Sequence, residues 1–335
     1  MHLDLTIVWA AIIASAIAAY VVLDGFDLGL GILFPLYPGK PDRDVIMNSV
    51  APVWDGNETW LVLGGGGLFA AFPLAFAILM PAVYLPVYIM LLALIFRGVA
   101  FEFRWRSERR RGWWDASFIC GSTIAAFFQG VTLGAVLQGV KVNGRMFGGG
   151  PFDWCTAFSV LTGLAVVVGY ALLGATWLVM KTDGPLQDRA RRMAWPLAVG
   201  TVFFIAAISL ATPALEPSYH TRWLSMPNLV FTAPVPVAVA VVTGLLFRSL
   251  QVHRHEYRPF LLALALFGLT FFGLGISVFP YVVPARITIW EAAAPLMSQA
   301  FLLAGTAILL PMILAYTAYA YWVFRGKVGA DHGYH

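Results

Sequence analysis

The feature that most constrains this chain is a series of long apolar stretches separated by short polar segments. A helix that crosses a bilayer needs about 20 mostly apolar residues. Only 11% of the 335 residues are charged, against about a quarter in a soluble domain, so no segment is polar enough to form a separate soluble domain. The sequence therefore predicts an all-α, polytopic membrane protein, with residues 1–335 as a single integral membrane domain. Nine transmembrane helices are predicted, over residues 5–33, 54–72, 75–102, 116–139, 156–180, 195–212, 229–247, 260–280 and 295–324.

The distribution of basic residues predicts the orientation of the chain. Cytoplasmic loops of membrane proteins are enriched in Lys and Arg. With the N-terminus outside, the inner segments hold 17 of the 21 Lys and Arg residues, and the outer loops hold four. We therefore expect an outer N-terminus and a cytoplasmic C-terminus, and we attribute the basic charge to membrane orientation rather than to nucleic-acid binding. The arginines between Arg104 and Arg111 are expected to form a solvated cytoplasmic loop near anionic headgroups.

Four carboxylates flank the polar hinge between the first two predicted helices. Asp24 and Asp27 are three residues apart and share a helix face, and Asp55 and Glu58 repeat that spacing in the first turn of the second helix. A carboxylate near hydrocarbon costs roughly 2.5 kcal/mol or more unless it is paired, hydrated or protonated. Closely spaced carboxylates disfavour each other's ionisation, which suits proton relay. The functional interpretation is an acidic mouth that opens to the cytoplasm and passes protons inward.

A purely structural interpretation of the same carboxylates is also consistent with the sequence. Asp55, followed by an acidic residue three positions later, has the pattern of a helix N-cap. Asp24 or Asp27 could instead pair with Arg97 in the third predicted helix. The residues alone leave the structural and the functional interpretations open.

Residues that could hold a redox cofactor are scarce. The fourth to ninth predicted helices carry no Asp, Glu, Lys or Arg well inside the bilayer, and every histidine falls in a predicted loop or tail, so we expect no bis-histidine haem helix in this chain. Cys120 and Cys155 are placed on opposite faces of the bilayer, so we predict neither a disulfide nor a metal site. The histidines are His2, His220, His253, His255, His332 and His335.

Several runs in the first 140 residues resemble those of a known family, subunit II of the cytochrome bd-type terminal quinol oxidases. They are residues 24–31 (DGFDLGLG), 51–60 (APVWDGNETW), 65–73 (GGGLFAAFP), 96–104 (FRGVAFEFR) and 137–140 (LQGV). The remainder of the chain fits that family by length and helix number. Its short length is similar to that of the cyanide-insensitive branch.

The resemblance implies a division of labour between two subunits. Subunit II forms a heterodimer with a haem-bearing subunit I of similar fold, sometimes with a very small single-helix accessory subunit. Subunit I holds haem b, haem d and the quinol site, and subunit II binds no haem alone. The complex lies in the bacterial plasma (inner) membrane, among lipid and quinone, where it oxidises quinol and reduces dioxygen to water with protons from the cytoplasm.

The resemblance also assigns roles to residues. Asp55 resembles the proton-channel aspartate of the family, and Asp24 and Asp27 resemble its acidic pair. Glu58 is added to the predicted proton pathway by its spacing from Asp55, and not by the resemblance. No catalytic residue and no metal ligand is assigned. A stand-alone proton-coupled carrier or channel is the alternative function, and co-purification of a haem-bearing partner would discriminate against it. Charge-partner or structural roles are expected for Arg97, Trp54, Asn57 and Trp60.

Overall fold

The fold is a bundle of long helices. The computed structural model describes residues 4–107, 109–252 and 254–329, and in these residues nine helices have 18 residues or more. In chain order the helices are α1 (Leu5–Leu33), α2 (Lys40–Asn48), α3 (Trp54–Ala71), α4 (Pro73–Arg106), α5 (Arg111–Leu137), α6 (Ala157–Lys181), α7 (Gly184–Ala211), α8 (Pro217–Leu224), α9 (Asn228–Thr232), α10 (Pro234–Gln251), α11 (Arg258–Val278), α12 (Ile289–Ala292) and α13 (Leu296–Val323).

The remaining regular structure is small and lies in the connections. Two antiparallel hairpins pair β1 (Val142–Asn143) with β2 (Met146–Phe147), and β3 (Tyr281–Val283) with β4 (Ile287–Thr288). Short 3₁₀ turns follow α1 and α7. The prediction of an all-α membrane fold is therefore confirmed.

Eight of the nine long helices in the described residues are long and apolar enough to cross a membrane. The exception is α3, which has 18 residues but begins with the polar run Trp54–Thr59. At 1.5 Å per residue, 18 residues span about 27 Å, close to the roughly 30 Å thickness of a hydrocarbon core. Its composition, and not its length, therefore sets α3 apart.

Two predicted helices start more than a turn too late. The sixth predicted helix starts at residue 195, whereas α7 starts at Gly184, and the fourth starts at residue 116, whereas α5 starts at Arg111. In α7 the extra turns carry Arg189, Arg191 and Arg192, where the apolar stretch is interrupted but the helix continues. The seventh predicted helix, from residue 229, is observed as the short α9 followed by α10, and together they form one apolar span, Asn228–Gln251.

One end of the bundle collects the connections that carry most of the basic residues. The tail after α13 is held there, because Lys181 donates to the carbonyls of Phe324 and Gly326, and the Val328 N–H donates to the Lys181 carbonyl at 2.8 Å. Lys327 pairs with Asp183 before α7 and, at 2.6 Å, with Glu256 before α11. The hydrogen bond from Lys327 lowers the pKa of the Glu256 carboxyl. We call this end of the bundle the basic end.

The opposite end is closed by contacts between other helix termini. The Ala294 N–H donates to the Ala71 carbonyl at 2.9 Å, which ties the last residue of α3 to the start of α13. The Trp9 indole donates to the Gln299 carbonyl at 3.1 Å. Because its first residue lies near the basic end and its last residue lies here, α3 runs the full length of the bundle.

Both cysteines, Cys120 and Cys155, are exposed free thiols.

A network of ion pairs fixes the ends of α4 and α5 at the basic end. Asp115 accepts from Arg104 at 2.5 Å and from Arg43 at 2.9 Å. Asp44 accepts from Arg104 at 2.8 Å and also from Arg111. The expectation of a fully solvated arginine loop was wrong for Arg104 and Arg111, because Arg104 is 1% exposed and both side chains are paired. The sequence analysis missed their acidic partner Asp44 in α2, which lies 60 residues before Arg104.

The close approach of α1 and α6 places the second half of α1 in the centre of the bundle. Residues 24–31 are all buried. A Cβ at Gly29 would lie 1.9 Å from the Tyr170 carbonyl oxygen, and one at Gly174 would lie 2.6 Å from the Gly29 carbonyl carbon. Only glycine at both positions allows this approach, so the glycine pattern of the run 24–31 is a packing requirement.

We predict that Gly29→Ala destabilises the protein by about 1–3 kcal/mol or more, because the added methyl group forces α1 and α6 apart. Thermal unfolding in detergent measures the effect. Gly244→Ala on α10 is the control, since a Cβ there meets nothing within 4 Å. Equal melting temperatures for the two variants would contradict the packing account.

Candidate functional site

The site is organised around one buried guanidinium. Arg97 lies on α4, is 0% exposed, and points at the acidic pair of α1. Its Nη1 lies 2.6 Å from Asp24 Oδ1, and its Nη2 lies 3.7 Å from Asp27 Oδ2. Glu58 of α3 is a weaker neighbour, with 3.9 Å between its Oε1 and Arg97 Nη1. We call these four residues the Arg97 cluster; it contains three carboxyl groups and one permanent cation.

The backbone explains why these side chains meet. Asp24 and Asp27 lie one turn apart on the buried part of α1, while α4 brings Arg97 to the same depth. Gly121 of α5 allows α4 to approach closely, because a Cβ at this position would lie only 2.9 Å from the backbone nitrogen of Arg97. On the other side, Trp54 and Phe101 stack at 4.8 Å and lie about 6 Å from the guanidinium. These rings shield the guanidinium on that side, which strengthens its attraction for the carboxylates.

Asn57 of α3 joins the Arg97 cluster to one further helix, α13. Its Nδ2 donates to Asp27 Oδ2 at 2.8 Å and to the Leu23 carbonyl at 3.3 Å. Its Oδ1 accepts from the Tyr321 hydroxyl of α13 at 2.9 Å. One amide therefore connects α1, α3 and α13, and holds one oxygen of Asp27 in place.

Several buried polar atoms around the cluster have no hydrogen-bond partner within the part of the chain that the structure describes. They are Asp27 Oδ1, Trp60 Nε1 and Arg97 Nε. Most buried polar groups in proteins are hydrogen-bonded to protein or to ordered water. These atoms therefore mark the positions next to the Arg97 cluster where a hydrogen-bonding water would be expected.

Asp55 lies apart from the cluster. It is exposed, and within the described residues its carboxylate makes no ion pair. The expectation that it caps the helix was wrong: α3 starts one residue earlier, at Trp54, with Val53 as N-cap and no side-chain cap. The reason is that a turn over residues 50–54 runs directly into α3, with Trp54 N–H donating to the Val50 carbonyl at 3.1 Å.

The structure thus brings together most of the predicted site residues. Asp24, Asp27, Glu58, Arg97 and Asn57 form one connected group, with Trp54 as its wall. Trp60 is 4% exposed and packs against Ala16 and Tyr20.

Sequence reasoning missed two tyrosines near the cluster. Tyr20 could have been found, because it lies one turn before Asp24 on the same face of α1. Tyr321 lies 264 residues from its partner Asn57, and no pattern in the sequence indicates that pairing.

Residues that could bind a metal ion form no metal-binding group in the part of the chain that the structure describes. In the described ranges, no three His, Cys, Asp or Glu side chains form a group that could hold a metal ion. Of the histidines, His220 lies on the short α8 and His255 lies in the connection before α11. His2, His253, His332 and His335 lie outside the described residues.

A family model described as cytochrome bd terminal oxidase subunit II matches residues 5–324 of the chain. The chain belongs to this family. As a subunit II it is part of an oxidoreductase complex of aerobic respiration, is a multi-pass protein of the bacterial inner membrane, and has a partner subunit I.

Individual relatives agree with the family assignment over nearly the whole chain. The sequence is 30% identical to cytochrome bd ubiquinol oxidase subunit 2 of Bacillus subtilis, with 96% of each chain covered. It is 28% identical to cytochrome bd-I ubiquinol oxidase subunit 2 of Escherichia coli strain K12, covering 97% of this chain and 95% of that protein. The fold is similar to that of a chain of the bd oxidase from Geobacillus thermodenitrificans, with a TM-score of 0.73, 18% identity, and coverage of 96% and 99%.

We predict that Arg97→Ala prevents stable assembly of this subunit II, because it leaves buried carboxylates without their cation, at a cost of about 3–5 kcal/mol. The yield of the haem-bearing complex from membranes measures this effect. Arg106→Ala is a matched control on the same helix, since its side chain is 80% exposed and lies 3.9 Å from its partner Glu102.

Removal of one negative charge should partly rescue the Arg97→Ala protein, so the double variant with Asp24→Asn should assemble better than Arg97→Ala alone. Equal yields for Arg97→Ala and Arg106→Ala would show that Arg97 does not compensate the buried acids.

Proposed function

We propose that this chain stabilises a haem-bearing subunit I in a heterodimeric quinol:oxygen oxidoreductase and supplies it with protons from the cytoplasm. Quinol is the substrate of the complex, haem b and haem d are held by subunit I, and a very small single-helix accessory subunit completes some assemblies. The printed names of the B. subtilis and E. coli relatives, both ubiquinol oxidase subunits, support a quinol substrate. Membership of the family favours this proposal over a stand-alone proton-coupled carrier or channel.

The observation that carries the proton role is the Arg97 cluster. Three carboxyl groups share one buried cation, so the cluster has a net negative charge unless it takes up protons. Partnerless atoms around it provide sites where water can bind and relay protons. A group that only stabilised the fold would be expected to satisfy these atoms internally.

The location of the haems in subunit I is supported by the placement of possible ligands. A histidine fixed inside a helix bundle is a common ligand of haem iron. The two described histidines instead lie on a short helix and in a connection, at the ends of the bundle. The partner is therefore expected to provide the iron ligands, and the present chain to provide packing and protons.

We further propose that α3 is a ninth membrane span, with the N-terminus outside and the C-terminus cytoplasmic. The run of α3 from the basic end to the opposite end supports this, because the remaining eight spans alone would place both termini on one side. Basic residues gather at the end that holds the tail, in agreement with the preference of such residues for the cytoplasm. The first turn of α3, and with it the Arg97 cluster, then lies toward the cytoplasmic side.

The surface of α3 and α13 supports docking of subunit I on this side of the bundle. The outward stripe of α3 contains an exposed carboxylate on an otherwise apolar face, and a carboxylate that faces lipid is disfavoured. Gly65 and Gly66 have nothing within 4 Å of a Cβ position, so another helix can approach closely. On α13, no residue of the most apolar 18-residue window is buried within the described chain. The outward stripe of α3 consists of Asp55, Thr59, Val62, Gly66 and Phe69.

We predict that Asp55→Asn lowers oxygen uptake by the assembled complex by roughly tenfold, while haem content stays near that of the unchanged protein. The amide keeps the size of the side chain but cannot accept a proton, and Asp55 supports no ion pair in the described residues whose loss would unfold the chain. Asp188→Asn, an exposed carboxyl on α7 at the same end, is the control. Full turnover in Asp55→Asn would remove this residue from the proton pathway.

We predict that Gly66→Leu reduces the haem that co-purifies with a tag on this chain, because the new side chain keeps a partner helix from approaching the outward stripe. Gly268→Leu on α11 is the matched control, since neither glycine has an atom within 4 Å of its Cβ position. Both variants should fold. Equal haem recovery would contradict docking of subunit I on α3.

A further inference from the structure

A narrow crevice separates the first turn of α3 from the last turns of α13. It has a volume of about 20 Å³, and a single water needs at least about 10–15 Å³. The crevice is therefore large enough for one water but too small for an organic ligand. It is lined by Pro52, Val53, Gly56 and Asn57 on one side and by Tyr316, Thr317, Ala320 and Tyr321 on the other.

The crevice leads directly to the Arg97 cluster. Tyr321 and Asn57 form part of its wall, and the same two side chains are hydrogen-bonded to each other at 2.9 Å. Asn57 in turn donates to Asp27 at 2.8 Å. One hydrogen bond, from Asn57 to Asp27, therefore separates the crevice wall from a fully buried carboxylate. The other oxygen of that carboxylate has no hydrogen-bond partner in the described chain.

We propose that this crevice is the place where water enters the Arg97 cluster, and that Tyr321 is the positioning residue of that entry. The inference rests on the proposed proton pathway and specifies where it begins. Tyr321 donates its proton to Asn57, so its oxygen lone pairs remain available to a water in the crevice. Asn57 carries no titratable proton, so it orients Asp27 and the water, while the proton moves through water.

An alternative entry, directly from Asp55, would reach the cluster through Glu58, which lies one turn further along α3, but no hydrogen bond joins these two side chains in the described residues. Asp55 lies on the outward stripe and is not part of the crevice wall, although its neighbour Gly56 is. A Cβ at Gly56 would meet nothing within 4 Å, so this position leaves the mouth of the crevice open. Asp55 then acts at the surface, and Tyr321 and Asn57 act at the step into the bundle.

The test fills the crevice without removing a polar group. Ala320→Leu places a larger side chain in the crevice wall, and Ala240→Leu makes the same change at an exposed position of α10, away from the crevice and from the surface of α3 and α13. In the assembled complex with saturating quinol, oxygen uptake should fall roughly tenfold in Ala320→Leu and stay unchanged in Ala240→Leu, at equal haem content. The solvent deuterium isotope effect on uptake should rise in Ala320→Leu, because proton entry becomes rate-limiting; a purely structural defect would not raise it.

Tyr321→Phe is the second variant and decides the question if Ala320→Leu fails to assemble. It removes one oxygen, keeps the ring, and should lower uptake several-fold with the same rise in the isotope effect. If uptake and isotope effect match those of Ala240→Leu in every crevice variant that assembles, the proposed entry is wrong.

Asp27→Asn, measured in parallel, distinguishes a failure of the proposed entry at Tyr321 from a failure of the proposed proton pathway. Low uptake in Asp27→Asn with normal uptake in the crevice variants would retain the proton pathway and overturn only its entry at Tyr321. Normal uptake in Asp27→Asn at normal haem content would overturn the proton pathway itself, and with it the entry.

Discussion

The structure depends on the compensation of buried carboxylates by a single arginine. Asp24, Asp27 and Arg97 are all fully buried, and the burial of the two acids is tolerable only because the guanidinium offsets part of their negative charge. Replacing such a group by apolar residues is often neutral or stabilising in proteins. Stability alone therefore does not account for its presence, and the excess of acid over base favours a role in binding protons and water.

The surrounding packing serves this cluster. Glycines on α1, α5 and α6 let the helices approach until backbone meets backbone, which fixes the depth of the acidic pair and of Arg97. Trp54 and Phe101 exclude water from one side of the cluster. Asn57 and Tyr321 form its other side, next to the crevice between α3 and α13. The cluster is therefore held by close helix packing on one side and borders the crevice between α3 and α13 on the other. Such an arrangement fits a subunit that delivers protons to reactive groups held by another chain.

The fold was largely predictable from the sequence, because hydrocarbon thickness sets the length of each apolar stretch and the basic residues mark one end. The polar α3 was predicted as a membrane helix beginning at residue 54, as observed, although its hydropathy falls short of a membrane span. The largest boundary error arose where a helix continued beyond its apolar stretch, at Gly184. The first turns of α7 are polar like the connection before them, so no change in hydrophobicity marks the start of this helix.

The candidate site was predictable only where its residues are close in the sequence. The spacing of Asp24 and Asp27 indicated a shared face, and Arg97 was the one cation of suitable depth. Tyr321 and the acidic partner of Arg104 come from distant segments, and their contacts depend on how α13 and α2 pack. Long-range pairings of this kind are determined by the folded bundle and have no local signature.

The most direct test of the central claim is to determine which face of the membrane the basic end, and therefore the acidic cluster, occupies. In a chain with Cys120→Ser and Cys155→Ser, single cysteines would be introduced by Lys40→Cys at the basic end and by Arg145→Cys in the β1–β2 hairpin, both exposed positions. A membrane-impermeant maleimide should label Lys40→Cys only in inverted membrane vesicles and Arg145→Cys only in intact spheroplasts. Labelling of Lys40→Cys in spheroplasts would place the carboxylates at the outer face and contradict a supply of protons from the cytoplasm.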